Sequence, residues 1–239
     1  MFNHKLSFVF LLAAVILVAL AFPVFAQEYK PGVEAGQYVK YGNFVGVGPG
    51  FESFNDYDWL KLEVVRVSGK EVTLLSTGQF KNGAPIPGNG TTTAWNVEAG
   101  TEKGSPNTQG PIIAANLIQG DTIPPPNTYT VNKTEDRVYL GVSRSVNILD
   151  VEISTPDYDT TLSYVYDRVS GMLLESTSKT TQAQPEPTTS EYAYSIIETN
   201  IISSTPTIDL TIVIIIAVAL FVVVAVAILL LLRRTNKII

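Results

Sequence analysis

Two long apolar stretches, one at each end of the 239-residue chain, restrict where everything between them can fold. The first runs from Leu6 to Phe22 behind His4 and Lys5, and Pro23-Val24-Phe25-Ala26-Gln27 follows it. Val24 and Ala26 are small enough for the −3 and −1 subsites of a signal peptidase, so residues 1–26 are expected to be a secretory signal cut after Ala26. The second, Leu210 to Leu232, is apolar apart from Thr211 and ends in Arg233-Arg234-Thr235-Asn236-Lys237. Wound as a helix at about 1.5 Å per residue it reaches roughly 35 Å, enough to cross a hydrocarbon core of about 30 Å with some tilt. The basic residues after it belong in the cytoplasm by the positive-inside rule. The expected plan is an extracytoplasmic domain over 27–200, a Ser/Thr stalk over 201–209, a transmembrane helix over 210–232 and a cytoplasmic tail over 233–239. An uncleaved anchor at the front and a buried core helix at the back are the competing assignments. The Val-Phe-Ala site argues against the first, and the length of the run with its basic stop against the second.

Charge and composition narrow what the central part can do. Between Gln27 and Ile208 there are 12 Lys and Arg against 21 Asp and Glu, a net −9. A surface that acidic repels phosphate backbones, so nucleic acid is not an expected partner. The chain has no cysteine, and its one histidine, His4, leaves with the signal. A mature chain without either cannot build a Ser-His-Asp triad, a Cys-His pair or the usual zinc and haem ligand sets. Carboxylate chemistry, Ser-Lys nucleophiles and oxygen-ligated cations remain. The Ser-Lys neighbours Ser68-Gly69-Lys70 and Ser178-Lys179 sit on turns or strands, where adjacent side chains point to opposite faces. No catalytic residue is assigned, and a non-enzyme with no cofactor is expected.

The central part reads as antiparallel β structure. Val, Thr, Tyr and Ile fill short runs separated by Gly, Pro, Asn and Asp. Gly36 to Gly42 is the first expected strand, with Tyr38 and Lys40 on one face and Val39 and Tyr41 on the other. Leu60, Leu62 and Val64 alternate with Lys61 and Glu63, and Val67-Ser68-Gly69-Lys70 turns this strand back into Glu71 to Thr77. Thr91 to Val97 is a further strand. Pro111 to Ile118 is the expected helix, because Pro suits its first position and Gly120 the residue after its end. Strands follow over 128–132, 137–142 and 145–153. In the next hairpin Leu162, Tyr164 and Tyr166 alternate with Ser163, Val165 and Asp167 before a turn at Arg168-Val169-Ser170-Gly171. There Asp167 is expected to accept from the turn's own amides and Gly171 to take positive φ. The last strand runs from Glu191 to Thr199. The predicted fold is mainly β: an antiparallel meander forming a curved sheet, half-barrel or sandwich, with one short helix and the C-terminal membrane helix.

Two stretches carry a resemblance. Val33-Glu34-Ala35-Gly36-Gln37-Tyr38-Val39-Lys40-Tyr41 resembles the G-D-W-V-K-Y opening of uncharacterised archaeal secreted, single-pass membrane-anchored β-domain proteins. Tyr166-Asp167-Arg168-Val169-Ser170-Gly171-Met172-Leu173-Leu174-Glu175 resembles their Y-D-K-x-T-G-x-L-L-E hairpin. Gln37 stands for the usual Asp and Ser170 for the usual Thr. The motifs are a strand and a turn, so the resemblance implies a fold and an anchored location, and no activity. The meander with one crossing helix is also similar in architecture to the half-barrel of bacterial lipoprotein carriers, an analogy of shape alone.

Three sets of residues are candidate sites. Asp56-Tyr57-Asp58 and Asp157-Tyr158-Asp159 repeat one tripeptide before two strands, and with Glu52, Asn55, Asp150 and Glu152 they offer oxygen ligands for calcium. Asp and Asn at strand openings are also ordinary turn formers. Asn89-Gly90-Thr91 and Asn132-Lys133-Thr134 are Asn-x-Thr sequons in a chain expected to be exported. Trp59, Trp95, Tyr164, Tyr166, Tyr192 and Tyr194, with Tyr38 and Tyr41, either pack the sheet or line a concave face that takes an apolar ligand or a sugar. The expected function is a membrane-anchored surface protein whose external domain binds or assembles with another envelope protein. The alternative is a carrier or sensor of an apolar ligand.

Overall fold

The computed structural model describes residues 29–103, 105–123, 129–182 and 188–201. The expected signal sequence and transmembrane helix lie outside these residues. No helix among the described residues is long and apolar enough to cross a membrane.

Thirteen strands are described: β1 (Tyr38–Val47), β2 (Tyr57–Ser68), β3 (Glu71–Phe80), β4 (Thr91–Asn96), β5 (Thr101–Glu102), β6 (Ser105–Gln109), β7 (Thr122–Ile123), β8 (Tyr129–Thr130), β9 (Lys133–Tyr139), β10 (Val142–Ser154), β11 (Tyr158–Asp167), β12 (Leu173–Gln182) and β13 (Thr188–Thr199). Eleven form one antiparallel sheet in the order β6-β5-β4-β3-β2-β1-β13-β12-β11-β10-β9, and β7 and β8 make a separate ribbon. The first and last long strands therefore pair at the centre of the sheet. From them one meander runs outward through β2 to β6 and another through β12 back to β9. Among the described residues the outermost strands β6 and β9 do not pair with each other.

Register explains which residues the core takes. Tyr41 lies opposite Leu60, and Val39 opposite Leu62. Val64 lies opposite Leu74, so the apolar set of β2 shares a face with Val39 and Tyr41. Across the centre Tyr41 meets Ile196. We call this the inner face. Its buried residues include Val39, Tyr41, Val64, Leu74, Leu149, Tyr166, Leu174 and Ile196, and loops supply Val33, Ile112, Ile113 and Leu117. Bulges between Lys40 and Tyr41, and between Gly42 and Val45, keep large side chains on this face as β1 bends.

The chain over 111–118 is not a helix. It is an irregular strap, buried along most of its length, with a single bridge from Ile112 to Met172. A helix satisfies its amides internally, whereas here they are taken by distant carbonyls. Ile113 donates to Gly171 at 2.9 Å, Ala115 to Lys30 at 2.9 Å and Asn116 to Arg168 at 2.7 Å. The Asn147 carboxamide on β10 donates to the Leu117 carbonyl at 2.8 Å and pins the far end of the strap. Eight residues are too few for a stable helix without tertiary help, and the help available favours the extended form.

Two strand limits also differ from expectation. The turn between β9 and β10 is Leu140-Gly141, with φ of 53° and 78°, so β9 begins at Lys133 and β10 at Val142. An apolar residue in a turn of this kind, which normally favours Asn or Gly, concealed it. Of the run over 128–132 the described residues, 129–132, contribute β8, which pairs with β7 in a ribbon separate from the main sheet.

The Asp167–Gly171 turn matches its sequence reading. One Asp167 oxygen accepts from the Val169 amide at 3.1 Å, the Ser170 amide at 2.7 Å and the Ser170 hydroxyl at 2.9 Å. Its other oxygen pairs with Arg144 Nη1 at 3.0 Å, both side chains being buried. Arg144 Nη2 in turn donates to the carbonyl of Ile201 at 2.8 Å, where the described chain leaves the sheet. This end of the sheet is the exit end. The opposite end carries the end of β1, the starts of β2 and β13, and the loop over 81–90.

Candidate functional site

The face and the end of the sheet decide what each sequence-identified aromatic does. Tyr164 lies opposite Ser176, and Ser176 opposite Tyr194. In the next row Leu162 faces Ser178, and Ser178 faces Tyr192. Cross-strand partners share a face, so Tyr164, Tyr192 and Tyr194 stand together on the inner face with small serines between them. Tyr166 and Trp95 are also on that face but at the exit end. Tyr166 is buried with its hydroxyl donating to Gly110 at 2.8 Å, and Trp95 sits opposite buried Val72. Tyr166 is core, and Trp95 packs against it. Trp59 is on the other face, with Lys40 Nζ 5.0 Å from its ring centroid, and Tyr38 sits there too, with Lys61 Nζ at 4.2 Å. The six aromatics therefore do not share one face: Tyr164, Tyr192 and Tyr194 stand together on the inner face, Tyr166 and Trp95 lie on it at the exit end, and Trp59 is on the other face.

The rest of the cluster comes from a loop that sequence reasoning passed over. A 3-10 turn, Glu52–Asp56, follows β1 and folds back across it. Asn55 holds the turn there: its Oδ1 accepts from the Gly46 amide at 3.0 Å and its Nδ2 donates to the Gly46 carbonyl at 2.6 Å. The approach is so close that a Cβ at Gly46 would stand 1.7 Å from the Phe51 carbonyl oxygen. Only glycine fits. The turn thereby lays Phe51 and Phe54 against Tyr192, each with ring centroids 5.0 Å apart.

From Tyr192 the ring contacts run on. Phe54 and Tyr192 are stacked at 14°, and Tyr192 and Tyr194 at 12° with centroids 6.2 Å apart. Tyr194 meets Tyr41 edge-on at 5.3 Å and Phe44 at 5.7 Å. Phe44 touches Tyr57, which meets Phe80 at 4.9 Å. Apart from buried Tyr41, these rings are part exposed, as are their inner-face neighbours Leu60 and Leu62. The signal for the missed members was there: a loop following Gly48-Pro49-Gly50 that spends two of its next four residues on Phe is not built for solvent.

The electrostatics of the cluster favour neutrality. Burial, and then the neighbouring Tyr192, push the Tyr194 phenol up to about 12. Tyr164 is raised further, again first by burial. Both phenols are uncharged over the whole physiological range, so the surface is apolar with hydroxyl tips. Glu135 is held below the usual carboxyl range by Lys133 and Arg137, and Glu198 by the Tyr38 hydroxyl, 2.6 Å away, and by Lys40. A general acid needs the opposite shift.

The calcium candidates stay apart. Asp56-Tyr57-Asp58 and Asp157-Tyr158-Asp159 stand at the starts of β2 and β11, which have three other strands, β1, β13 and β12, between them in the sheet. Asn55 is occupied with Gly46, Glu52 accepts from the Gly50 amide at 3.0 Å, and Asp150 from Ser163 at 2.6 Å. Glu152 is on β10, opposite Thr161. No group of three or more carboxylates able to hold a metal is found among the described residues. The sequons are at different heights on the sheet, Asn89 in the loop before β4 at the end away from the exit and Asn132 just before β9, beside the middle of β10.

No protein-family model matches this chain, and no curated protein matches it.

Proposed function

We propose that this is a membrane-anchored surface protein whose extracytoplasmic β domain is a binding module, taking its partner at the aromatic end of the inner face. The observation that carries this reading is the part-exposed ring cluster of Phe51, Phe54, Tyr57, Phe80 and Tyr192, locked in place by Asn55 on Gly46. Part-exposed aromatics fixed on a rigid sheet have the composition of interaction hot spots. The position also suits capture. Tyr192 is nine residues before Ile201, which at about 3.3 Å per strand residue is roughly 30 Å from the exit. A membrane anchor after the exit would leave this end pointing away from the bilayer. Phe54, Tyr192 and Tyr194 stack in a row and so cover part of one another's faces, which suits an apolar protein segment better than a sugar ring needing an open face.

A second reading rests on Leu60, Leu62, Leu162 and Tyr164, part exposed on the same face, which would suit an apolar small ligand carried by the sheet. Capture from envelope extracts by the full chain in nanodiscs, with mass spectrometry of both proteins and lipids, separates the two. The expected result is a protein partner lost on Phe51→Ser or Phe54→Ser and kept on the outer-face change Val45→Ser. A co-purifying lipid with no protein favours the carrier, and capture indifferent to both phenylalanines rejects the site. Protease added to intact cells is expected to remove the β domain; protection of the domain would overturn the anchored topology.

A further inference from the structure

The two sequons, Asn-Gly-Thr and Asn-Lys-Thr, both run into a strand and have exposed first residues, but they are held differently: Thr91 opens β4 opposite Ser76, whereas the second is tied to β10 through both its asparagine and its threonine. Asn132 is built into the sheet. Its amide donates to the Ile148 carbonyl at 2.9 Å, and its side-chain oxygen accepts from the Asp150 amide at 2.6 Å. The hydroxyl of Thr134, which a transferase must grip together with the asparagine, donates to Asn147 Oδ1 at 2.7 Å, and Asn147 is buried and tied to the strap. Lys133 between them pairs with Ile148 in the β9–β10 ladder. Presenting this tripeptide to an enzyme requires peeling the start of β9 off the sheet.

Asn89 stands on the surface between Gly88 and Gly90, in a loop over 81–90 whose residues are all exposed except Ile86. Its side-chain oxygen accepts from the Gly78 amide at 2.8 Å, which orients the carboxamide and leaves its nitrogen without a protein partner among the described residues. The Thr91 hydroxyl donates at 2.6 Å to Gly88 within the same turn, and Thr91 is exposed. All three sequon residues are therefore on the surface together.

We propose that the folded domain presents Asn89, and not Asn132, as an acceptor for N-linked glycan. Transfer joins Asn89 Nδ2 to the anomeric carbon of a lipid-linked oligosaccharide. It breaks the bond from that carbon to the lipid phosphate, which departs, and passes an amide proton to a base of the transferase. A glycan there stands beside the Tyr57–Phe80 edge of the aromatic cluster, since the loop springs from Phe80 at the end of β3. Use of the site in the cell rests on the exported topology proposed above; the acceptor geometry does not.

The test takes a transferase and lipid-linked donor that glycosylate free peptides of residues 86–93 and 129–136, and offers them the purified, folded full-length chain. Intact mass is expected to rise by one glycan. Peptide mapping should put it on Asn89, with no gain in Asn89→Gln or Thr91→Ala and an unchanged gain in Asn132→Gln. A folded chain left unmodified, or modified at Asn132 as readily as at Asn89, overturns the proposal. Export plays no part in the reaction, so a negative result cannot be laid to a wrong topology. Failure of the topology is read separately, by protease on intact cells.

Discussion

At the scale of single residues, the position under most constraint is Gly171. Its φ is 74°, and a Cβ there would sit 2.0 Å from the carbonyl oxygen of Ile113 on the strap. The residue is fixed twice, by the turn it closes and by the segment that lies on it. Gly171→Val is expected to cost at least about 3 kcal/mol, more than backbone strain alone, because the strap must also move. Urea unfolding of wild type and variant measures it, and a loss under about 1 kcal/mol would mean the strap yields freely. The tyrosines give the pH response. A phenol ionises near 10 when unfolded, whereas burial and the neighbouring Tyr192 hold Tyr194 near 12, and burial and Glu175 hold Tyr139 there too. The fold thus favours the neutral form. This contribution is whole below about pH 10 and is lost as pH rises from 10 through 12, where the unfolded chain releases its protons more readily. Thermal midpoints should be flat from pH 7 to about 9.5 and fall steeply above 10. Tyrosinate absorbance should appear in two stages, exposed rings first.

Among elements, the strap over 111–118 has no regular structure and yet joins the most distant parts of the fold. Its amides reach the N-terminal segment and the Asp167–Gly171 turn, and its apolar side chains fill the inner face. Amide hydrogen exchange at Ile113, Ala115 and Asn116 is expected to be as slow as in β11 and β12. Fast exchange there, in the manner of a surface loop, would place the strap outside the cooperative core. The β9–β10 turn presents the reverse situation, a regular element with an unsuitable residue. Leu140 holds a φ of 53° while half exposed, so the side chain gains little from packing and strains the backbone. Leu140→Asn creates the Asn-Gly pair this turn favours and is expected to add about 0.5–1 kcal/mol, read from the shift in urea midpoint. A loss of stability would show that Leu140 packs on a neighbour more usefully than its exposure suggests.

For the whole molecule, the pairing of β1 with β13 is decisive. Each wing of the sheet is a meander of local hairpins, and the central ladder alone joins them strand to strand. The strap and the segment before β1 then lock the wings together through Gly36–Val64 at 2.8 Å and Ala115–Lys30 at 2.9 Å. The domain is expected to unfold in one transition, by both tryptophan fluorescence and far-ultraviolet circular dichroism, although Trp59 and Trp95 belong to the same wing. Two resolved transitions would mean that the wings fold separately. Removal of β13 should abolish folding and not merely shorten the sheet, because it exposes the inner-face row around Tyr41 and Ile196.

Local patterns were enough for the sequence to determine that this domain is β, where most of its hairpins turn, and how Asp167 and Gly171 build one of them. Period-two alternation and turn chemistry act over a few residues, so they can be read without the rest of the chain. The inner set Leu60, Leu62 and Val64 was legible for that reason, as were the two sequons and the row containing Tyr192 and Tyr194. Tertiary structure alone decided three things. It drew the strap out of a helix, since the partners of its amides lie tens of residues away. It sent Trp59 to the outer face, Tyr166 into the core and Trp95 against it, since face depends on bulges and register set across strands. And it assembled Phe51 and Phe54 with Tyr192, since the contact exists only where β13 returns to lie beside β1 and glycine at position 46 lets the loop fold down upon them.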